Sequence, residues 1–304
     1  MSEAPSTVPV CYRHPSKETY IRCTRCDRPI CPDCMNEASV GHQCPECVAE
    51  GRRTQRQART AFGGSSVGRA GYVTRALIGI NVLFFIVSAV VGGPRAIAGA
   101  GGWFGLMGQG TDVTRWGSVL GYAPYVAGGD PHGIAAGEWY RLVTAMFLHY
   151  GVLHLLLNMV LLWQLGRYLE EKLGPLRFAG LYVLAGIGGN VAAYLFTAPN
   201  AQAAGASTSV FGLVLAIIVV NRRLQLDISQ FIPLLVVNLL FTFSVPNVSV
   251  AGHVGGLIVG GIVALILAYA PNGRRSLIQG LGCAAVFVIL LAAAVVRTQT
   301  LLGG

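Results

Sequence analysis

The apolar residues of this chain fall into long, nearly uninterrupted runs. Seven of these runs are candidates to cross a bilayer, although the fifth, which has Pro233 near its start, is short. A helix needs about 20 predominantly apolar residues to span the hydrocarbon core. The pattern therefore predicts an all-α polytopic membrane protein. The predicted spans lie at about 76–93, 142–165, 175–197, 205–221, 230–245, 250–270 and 277–296.

Composition excludes a soluble fold for most of the 304 residues. Hydrophobic residues make up 53% of the chain and charged residues 12%, with a mean hydropathy of +0.58. A soluble domain carries roughly 25% charged residues. Only 17 of the 229 residues from 76 to 304 are charged, so this part of the chain cannot cover a water-exposed surface with charge.

The net charge of +9 indicates a membrane orientation. Basic residues concentrate just before the first apolar run, and cytoplasmic loops are the ones enriched in Lys and Arg. We therefore expect a multi-pass protein of a bacterial-type plasma (cytoplasmic) membrane, with a cytoplasmic N-terminus and an external C-terminus. No nucleic-acid partner is expected, and no apolar segment near residue 1 predicts a cleaved signal peptide. The basic residues are Arg52, Arg53, Arg56, Arg59, Arg69 and Arg75.

Three unequal parts follow from these patterns. Residues 1–50 contain seven of the eight cysteines and predict a compact metal domain. Residues 51–74 are basic and rich in Gly and Ser, which is typical of a flexible linker. Residues 75–304 form the membrane domain. Its connection over 94–141 is too Gly-rich and polar to span, and we expect Trp103, Phe104 and Trp116 to lie in the membrane interface.

Cysteine spacing in the first part predicts two zinc sites. Four paired half-sites are present, and four half-sites make two closed tetrahedral Zn²⁺ sites of a structural kind. Metal binding would supply most of the folding free energy of so small a domain. His42 is a ninth candidate ligand, although a surface position is the simpler interpretation. The half-sites are Cys11-x2-His14, Cys23-x2-Cys26, Cys31-x2-Cys34 and Cys44-x2-Cys47.

The order of these pairs resembles B-box-type cross-braced zinc fingers. That resemblance implies that the first and third pairs share one ion, and that the second and fourth pairs share the other. The purpose of such a domain would be docking of a cytoplasmic protein partner. The first set is Cys11, His14, Cys31 and Cys34, and the second is Cys23, Cys26, Cys44 and Cys47.

A few polar residues interrupt the apolar runs, and such residues mark functional sites. With the N-terminus inside, the second, fourth and sixth spans all enter from the outer side. The polar residues are His149, His154 and Asn158 at the start of the second span, Ser207 at the start of the fourth and His253 at the start of the sixth. Of these, His154, Asn158, Ser207 and His253 then lie at a similar shallow depth below the outer surface.

Glycines predict that the fourth and sixth spans pack closely. Gly252, Gly256 and Gly260 repeat every fourth residue, and such a face lets two helix backbones approach. Ser207 would then reach His253, as nucleophilic catalysis requires, with the Asn158 amide and the Ser207 N–H as oxyanion donors. For either residue alone, a non-catalytic role is the simpler interpretation. A single Ser in a membrane helix more often hydrogen-bonds to a carbonyl of its own helix, and a single His more often bridges two helices.

At these residues the chain resembles the rhomboid intramembrane serine proteases over roughly 75–297. His154-Leu-Leu-Leu-Asn158 resembles the HxxxN motif of that family, and Gly205-Ala206-Ser207 resembles its GxS motif. His253-Val-Gly-Gly resembles the motif of the second dyad member. The segment 166–178 and the Gly-Glu-Trp-Tyr-Arg sequence at 137–141 are also similar, with Tyr140 where Trp is more usual.

This resemblance implies a rhomboid-like core of six helices plus one C-terminal transmembrane helix. It implies a Ser207–His253 dyad, oxyanion donors from His154, Asn158 and the Ser207 N–H, and an aromatic ring at Phe211 against the dyad histidine. No catalytic cofactor is implied. Substrates would be transmembrane segments of other proteins, cut near the outer leaflet of the bilayer.

Thr208 departs from the family pattern, which has Gly after the nucleophile. A β-branched residue there is expected to crowd the oxyanion site and to reduce activity or substrate range. Two other hypotheses stay open at this point. One is a catalytically silent rhomboid-like protein that binds client transmembrane helices, and the other is a membrane-tethered adaptor whose zinc domain is the main actor.

Overall fold

The computed structural model describes residues 8–54, 59–65, 71–98, 109–244 and 248–303. It divides into two compact units, Met1–Gln57 and Ala58–Gly304. Trp103 and Phe104, together with Arg56 and Arg69 of the predicted linker, lie outside the described residues.

The first unit is built around its cysteines. A two-stranded antiparallel sheet pairs β1 (Asn36–Glu37) with β2 (His42–Gln43), and helix α1 (Pro45–Thr54) follows. A 3₁₀ turn covers Pro32–Cys34. Ile30 and six of the seven cysteine side chains form the buried cluster. So small an apolar core supplies little folding free energy by itself.

The second unit is helical, and this confirms the predicted fold class. Five of the described helical segments are long and apolar enough to cross a membrane, at 72–92, 152–173, 175–196, 250–269 and 272–302. The helices are α2 (Tyr72–Gly92), α3 (Pro94–Ile97), α4 (Asp112–Gly117), α5 (Arg141–Thr144), α6 (Val152–Leu161), α7 (Arg167–Leu173), α8 (Pro175–Phe196), α9 (Ser207–Arg223), α10 (Phe231–Ser244), α11 (Val250–Tyr269) and α12 (Arg275–Leu302).

The prediction for the second span was wrong in its bounds. The helix begins at Val152 and continues through a π-helical segment, Leu162–Gly166, to Leu173. Residues 142–148 form short helical turns, and four of their apolar side chains, Leu142, Ala145, Met146 and Leu148, are buried within the protein. Gly151, at φ +88°, separates the two parts. An apolar run alone does not distinguish a core segment from a span.

Helix α9 packs closely against α11, as the glycine pattern predicted. An idealised Cβ on Gly256 would lie 2.0 Å from the carbonyl oxygen of Thr208, and one on Gly260 would lie 2.3 Å from the Cα of Gly212. Real side chains never approach backbone atoms so closely. The two helices therefore touch backbone to backbone, and this contact brings the start of α9 beside the start of α11.

A buried carboxylate joins α7 to the start of α2. Glu170 is fully buried and accepts hydrogen bonds from the backbone N–H groups of Val73 and Thr74, both at 2.9 Å. The Thr74 hydroxyl donates a third bond at 2.8 Å. The first N–H groups of a helix lack partners and carry partial positive charge, so a carboxylate stabilises them.

A second buried charge organises the loop before the second span. This loop contains a short hairpin of β3 (Ala123–Pro124) and β4 (Pro131–His132). The Arg141 side chain is 1% exposed and donates to Glu138 (2.7 Å), to the backbone carbonyl of Ser118 (2.9 Å) and to the Tyr125 hydroxyl (2.6 Å). One guanidinium thus holds three separate segments of the loop together.

Candidate active site

Ser207 is the first residue of α9 and lies half-buried. The turn before it depends on Gly205, whose φ of +147° is a conformation that other residues rarely adopt. The Gly205 N–H donates to the carbonyl of Ala145 at 2.9 Å, which fixes the turn to the neighbouring segment. As a result, the Ser207 side chain and its N–H both lie at the positive end of a helix dipole.

His253 lies in the first turn of α11, which begins with a Ser249 cap that accepts the Gly252 N–H at 3.1 Å. His253 Nε2 is 2.7 Å from Ser207 Oγ, and the imidazole is 6% exposed. The Phe211 ring stacks on it with centroids 4.2 Å apart and 18° between planes. A hydroxyl beside an imidazole in this geometry is the arrangement of an activated nucleophile.

Thr242 of α10 contacts the other side of the same imidazole. Its Oγ1 lies 2.8 Å from His253 Nδ1. Sequence reasoning missed this residue, because α10 was treated only as a short span. The available signal was a hydroxyl-bearing residue within an otherwise apolar run eleven positions before His253.

His154 approaches Ser207 from α6, which also carries Asn158. The backbone N–H of Tyr150 donates to His154 Nδ1 at 3.3 Å, so the ring proton is carried by Nε2. An idealised Cβ on Gly205 would lie 2.9 Å from that Nε2 and 3.1 Å from Ser207 Oγ, which places both atoms on one side of the turn.

Asn158 is 5% exposed and donates one amide hydrogen to the carbonyl of His154 at 2.9 Å. Its Nδ2 carries a second hydrogen that this bond leaves available. Two kinds of donor therefore lie beside Ser207, the His154 imidazole N–H and the backbone N–H groups of a helix start, and Asn158 adds an amide N–H one turn further along α6.

His149 lies apart from this constellation. It precedes α6, is 2% exposed and packs edge-on against His154 with ring centroids 5.0 Å apart. Its contact with the site is therefore through His154, and it does not touch Ser207 or His253 in the described contacts.

The Thr208 side chain is directed into the helix interface. An idealised Cβ on Gly189 of α8 would lie 2.6 Å from the Thr208 Cβ, and one on Gly252 of α11 would lie 3.4 Å from the Thr208 methyl group. Glycines on two neighbouring helices thus face the extra atoms of Thr208, and its effect on activity stays a prediction.

The cysteine-rich unit contains two groups of four potential metal ligands, and both match the predicted pairing. One group is Cys11, His14, Cys31 and Cys34, and the other is Cys23, Cys26, Cys44 and Cys47. His42 belongs to neither group among the described residues. Within each group the ligand atoms all lie within 4.8 Å of one another.

Separations within the groups fit a tetrahedral ion. Tetrahedral Zn²⁺ with ordinary bond lengths requires about 3.8 Å between two sulfurs and about 3.5 Å between nitrogen and sulfur. Cys26 and Cys44 have their sulfurs 3.8 Å apart, and His14 Nδ1 lies 3.3 Å and 3.4 Å from the sulfurs of Cys31 and Cys34. These residues could hold two metal ions.

Backbone hydrogen bonds stabilise the thiolate form of Cys11. Burial alone would raise the pKa of the Cys11 thiol, but backbone hydrogen bonds from Arg13, Cys31 and His14 outweigh burial and lower the pKa to about 6. The thiolate is the form that binds metal.

Comparison with known proteins identifies the membrane unit. Residues 136–270 match the Rhomboid domain, and YdcA, a Bacillus subtilis protein that carries the rhomboid name, is 34% identical over 149 residues, which cover 47% of this chain and 74% of YdcA. The chain belongs to the rhomboid family. The matched domain begins before α5, ends after α11 and contains His154, Asn158, Ser207, Phe211 and His253.

Two further relatives carry the rhomboid name. The rhomboid protease GluP of Bacillus subtilis is 38% identical over 143 residues, or 46% of this chain and 28% of GluP. Rhomboid-like protease 3 of Toxoplasma gondii is 32% identical over 168 residues, or 50% of this chain and 63% of that protein. This chain thus spans well under two thirds of GluP. The Rhomboid match does not include the cysteine-rich unit.

Proposed function

We propose that this chain is an intramembrane serine endopeptidase that cleaves transmembrane segments of other proteins by a Ser207–His253 dyad. The observation that carries the proposal is the 2.7 Å contact between Ser207 Oγ and His253 Nε2, at the start of two helices in a unit with spans long enough to cross a bilayer. Relatives named as rhomboid proteases support the reaction class.

In the first chemical step, His253 Nε2 accepts the Ser207 proton as the hydroxyl oxygen attacks the scissile carbonyl carbon. Negative charge develops on the carbonyl oxygen, and His154, Asn158 and the Ser207 N–H donate to it. His253 then returns the proton to the leaving amine, and the peptide bond breaks. A water molecule, deprotonated by His253, hydrolyses the acyl-enzyme and regenerates Ser207.

Stacking by Phe211 restricts the imidazole to one plane during these transfers. No metal or organic cofactor is proposed for the reaction itself. The site lies where the starts of α6, α9 and α11 meet. We propose that the N-terminus is in the cytoplasm of a bacterial-type cell and the C-terminus outside, so that cleavage takes place near the outer leaflet.

The cysteine-rich unit is proposed to bind two structural Zn²⁺ ions. One ion would be held by Cys11, His14, Cys31 and Cys34 and the other by the four remaining cysteines, because both groups have tetrahedral spacing. A closed set of four protein ligands leaves no open position for chemistry. We propose docking of a cytoplasmic protein as its role, with 1–50, 51–74 and 75–304 as zinc domain, linker and protease domain.

The test reconstitutes the full chain in liposomes with a fluorogenic single-span substrate. Cleavage by the wild type and its loss in Ser207→Ala and His253→Ala are expected. Ser209→Ala is the matched control, because it removes a hydroxyl from the same helix that lies against Gly186 of α8. A fluorophosphonate probe, which reacts with activated serines, should label the wild type and Ser209→Ala.

Absence of both cleavage and labelling across a varied substrate panel would refute the protease. If client helices were still captured equally by the wild type and both dyad variants, the chain would instead be a silent binder of transmembrane segments.

A further inference from the structure

The dyad imidazole has a hydrogen-bond partner on each of its two nitrogens. Ser207 Oγ lies 2.7 Å from Nε2, and Thr242 Oγ1 lies 2.8 Å from Nδ1. A neutral imidazole carries one proton, so one nitrogen donates and the other accepts. Catalysis as proposed above requires that Nε2 be the acceptor.

A second contact of Thr242 supports Nε2 as the acceptor. Thr242 Oγ1 also lies 2.8 Å from the backbone carbonyl of Asn238, which can only accept. When the hydroxyl donates its single proton to this carbonyl, its oxygen accepts from His253 Nδ1–H. The chain of bonds then runs from Ser207 O–H to Nε2, from Nδ1–H to Thr242, and from Thr242 O–H to Asn238.

Phe211 cannot supply this selection. Stacking at 4.2 Å fixes the plane of the imidazole but is nearly unchanged when the ring turns over within that plane. Only a group that distinguishes donor from acceptor can determine which nitrogen faces Ser207. Among the described residues, Thr242 is the one polar side chain within hydrogen-bonding distance of Nδ1.

The placement of Thr242 on α10 agrees with this role. It is 1% exposed and is the one fully buried residue of α10, whose apolar side chains are otherwise half-buried or exposed. A hydroxyl is thus directed inward from the helix position that reaches the imidazole.

We propose that Thr242 is a positioning residue that fixes the tautomer and the ring orientation of His253. The inference rests on the proposed protease function and extends it. Without the Thr242 oxygen, the imidazole would divide between its two tautomers, and the form with a proton on Nε2 cannot accept the Ser207 proton.

The test compares Thr242→Val, which replaces the hydroxyl by a methyl of similar size, with Thr242→Ser, which keeps the hydroxyl. Thr197→Val is the matched control, because Thr197 also donates to the carbonyl four residues earlier (2.6 Å) and lies at the end of α8 outside the site. All are measured as full chains in liposomes for kcat and KM on the single-span substrate.

We expect Thr242→Val to lower kcat about tenfold, the factor that one hydrogen bond between neutral groups contributes. KM should stay within about twofold, because Thr242 does not touch substrate. Thr242→Ser and Thr197→Val should both retain kcat within about threefold.

A second readout does not depend on turnover. In ¹⁵N-histidine-labelled protein, the His253 ring signals, identified by their loss in His253→Ala, should report a protonated Nδ1 in the wild type and in Thr242→Ser. Thr242→Val should shift them toward the mixture of tautomers. A wild type that cleaves nothing would refute the proposed function, yet these spectra would still decide the role of Thr242.

Two results would overturn the inference. One is a Thr242→Val protein with wild-type kcat or with unchanged His253 signals. The other is a Thr242→Ser protein as impaired as Thr242→Val, since that would assign the effect to the methyl group and its packing.

Discussion

The contact between α9 and α11 sets the distance between the two proposed dyad residues, and Gly256→Ala tests this. Its new Cβ would lie 2.0 Å from the Thr208 carbonyl oxygen, whereas a carbon–oxygen contact needs about 3.3 Å. Because the obstacle is backbone, the helices must separate by about 1 Å. Thr208 is adjacent to Ser207, so the 2.7 Å bond to His253 would lengthen beyond the hydrogen-bonding range of about 3.2 Å.

A displacement of this size has a large expected effect on rate. Misplacing a catalytic group by about 1 Å can cost about 100-fold. Overpacking a well-packed interface costs about 1–3 kcal/mol. We therefore expect Gly256→Ala to remain folded, with a lower melting temperature, and to lose about two orders of magnitude in turnover of the single-span substrate.

Two further glycine variants separate geometry from stability. In Gly260→Ala the new Cβ would lie 2.3 Å from the Cα of Gly212, a similar clash one helical turn further from the dyad. It should lose similar stability and much less activity. Gly180→Ala is the control, because nothing lies within 4 Å of a Cβ there. Turnover and melting temperature are measured on the same reconstituted preparations.

Wild-type turnover in Gly256→Ala would refute the argument that backbone contact sets the dyad distance. Equal losses of activity in Gly256→Ala and Gly260→Ala, each in proportion to its loss of stability, would also refute it, because the effect would then be general destabilisation.

Three other predictions follow from the structure. Burial alone would raise the pKa of Glu138, but hydrogen bonds from His132, Arg141 and the Gly133 N–H lower it. The stability that the Glu138 carboxylate contributes should be complete above the ordinary Glu pKa and be lost as pH falls through the lowered pKa. In melting curves, Glu138→Gln should be about 1–3 kcal/mol less stable at pH 7 and should lack this pH dependence. Chelators should release two zinc ions per chain in a colorimetric assay and unfold the cysteine-rich unit, while Cys283→Ser should release the same two as the wild type. Thr208→Gly should keep turnover within about threefold but lower stability by about 1–2 kcal/mol, because its methyl fills space between two helices; a large gain in turnover would contradict this.

Much of the fold was predictable because its signals are local. The apolar runs identified the helices, and the four-residue repeat of Gly252, Gly256 and Gly260 identified the face that packs on α9. The two groups of potential metal ligands were also predictable from the paired cysteines, because zinc ligands recur at a fixed short spacing.

Features that depend on burial were not predictable in the same way. The run at 142–148 is apolar like a span, and only the folded chain shows that most of its apolar side chains are buried inside the protein. The direction of the Thr208 side chain depends on glycines at 189 and 252, far away in sequence. The contact of Thr242 with His253 depends on how α10 lies against α11, and no short motif encodes that.

The surroundings of His253 give a physical reason for an uncharged partner at Nδ1. A carboxylate there would stabilise the imidazolium that forms during proton transfer, but an ionised group within a membrane unit costs several kcal/mol unless it is paired. A hydroxyl that donates to the Asn238 carbonyl presents a lone pair 2.8 Å from Nδ1 without introducing a charge. It can therefore select the tautomer while adding no net charge to α10, a helix whose other side chains are mostly apolar. On this argument, Thr242→Asp should not improve turnover at neutral pH, because the buried carboxyl would take up a proton instead of acting as a charged acceptor.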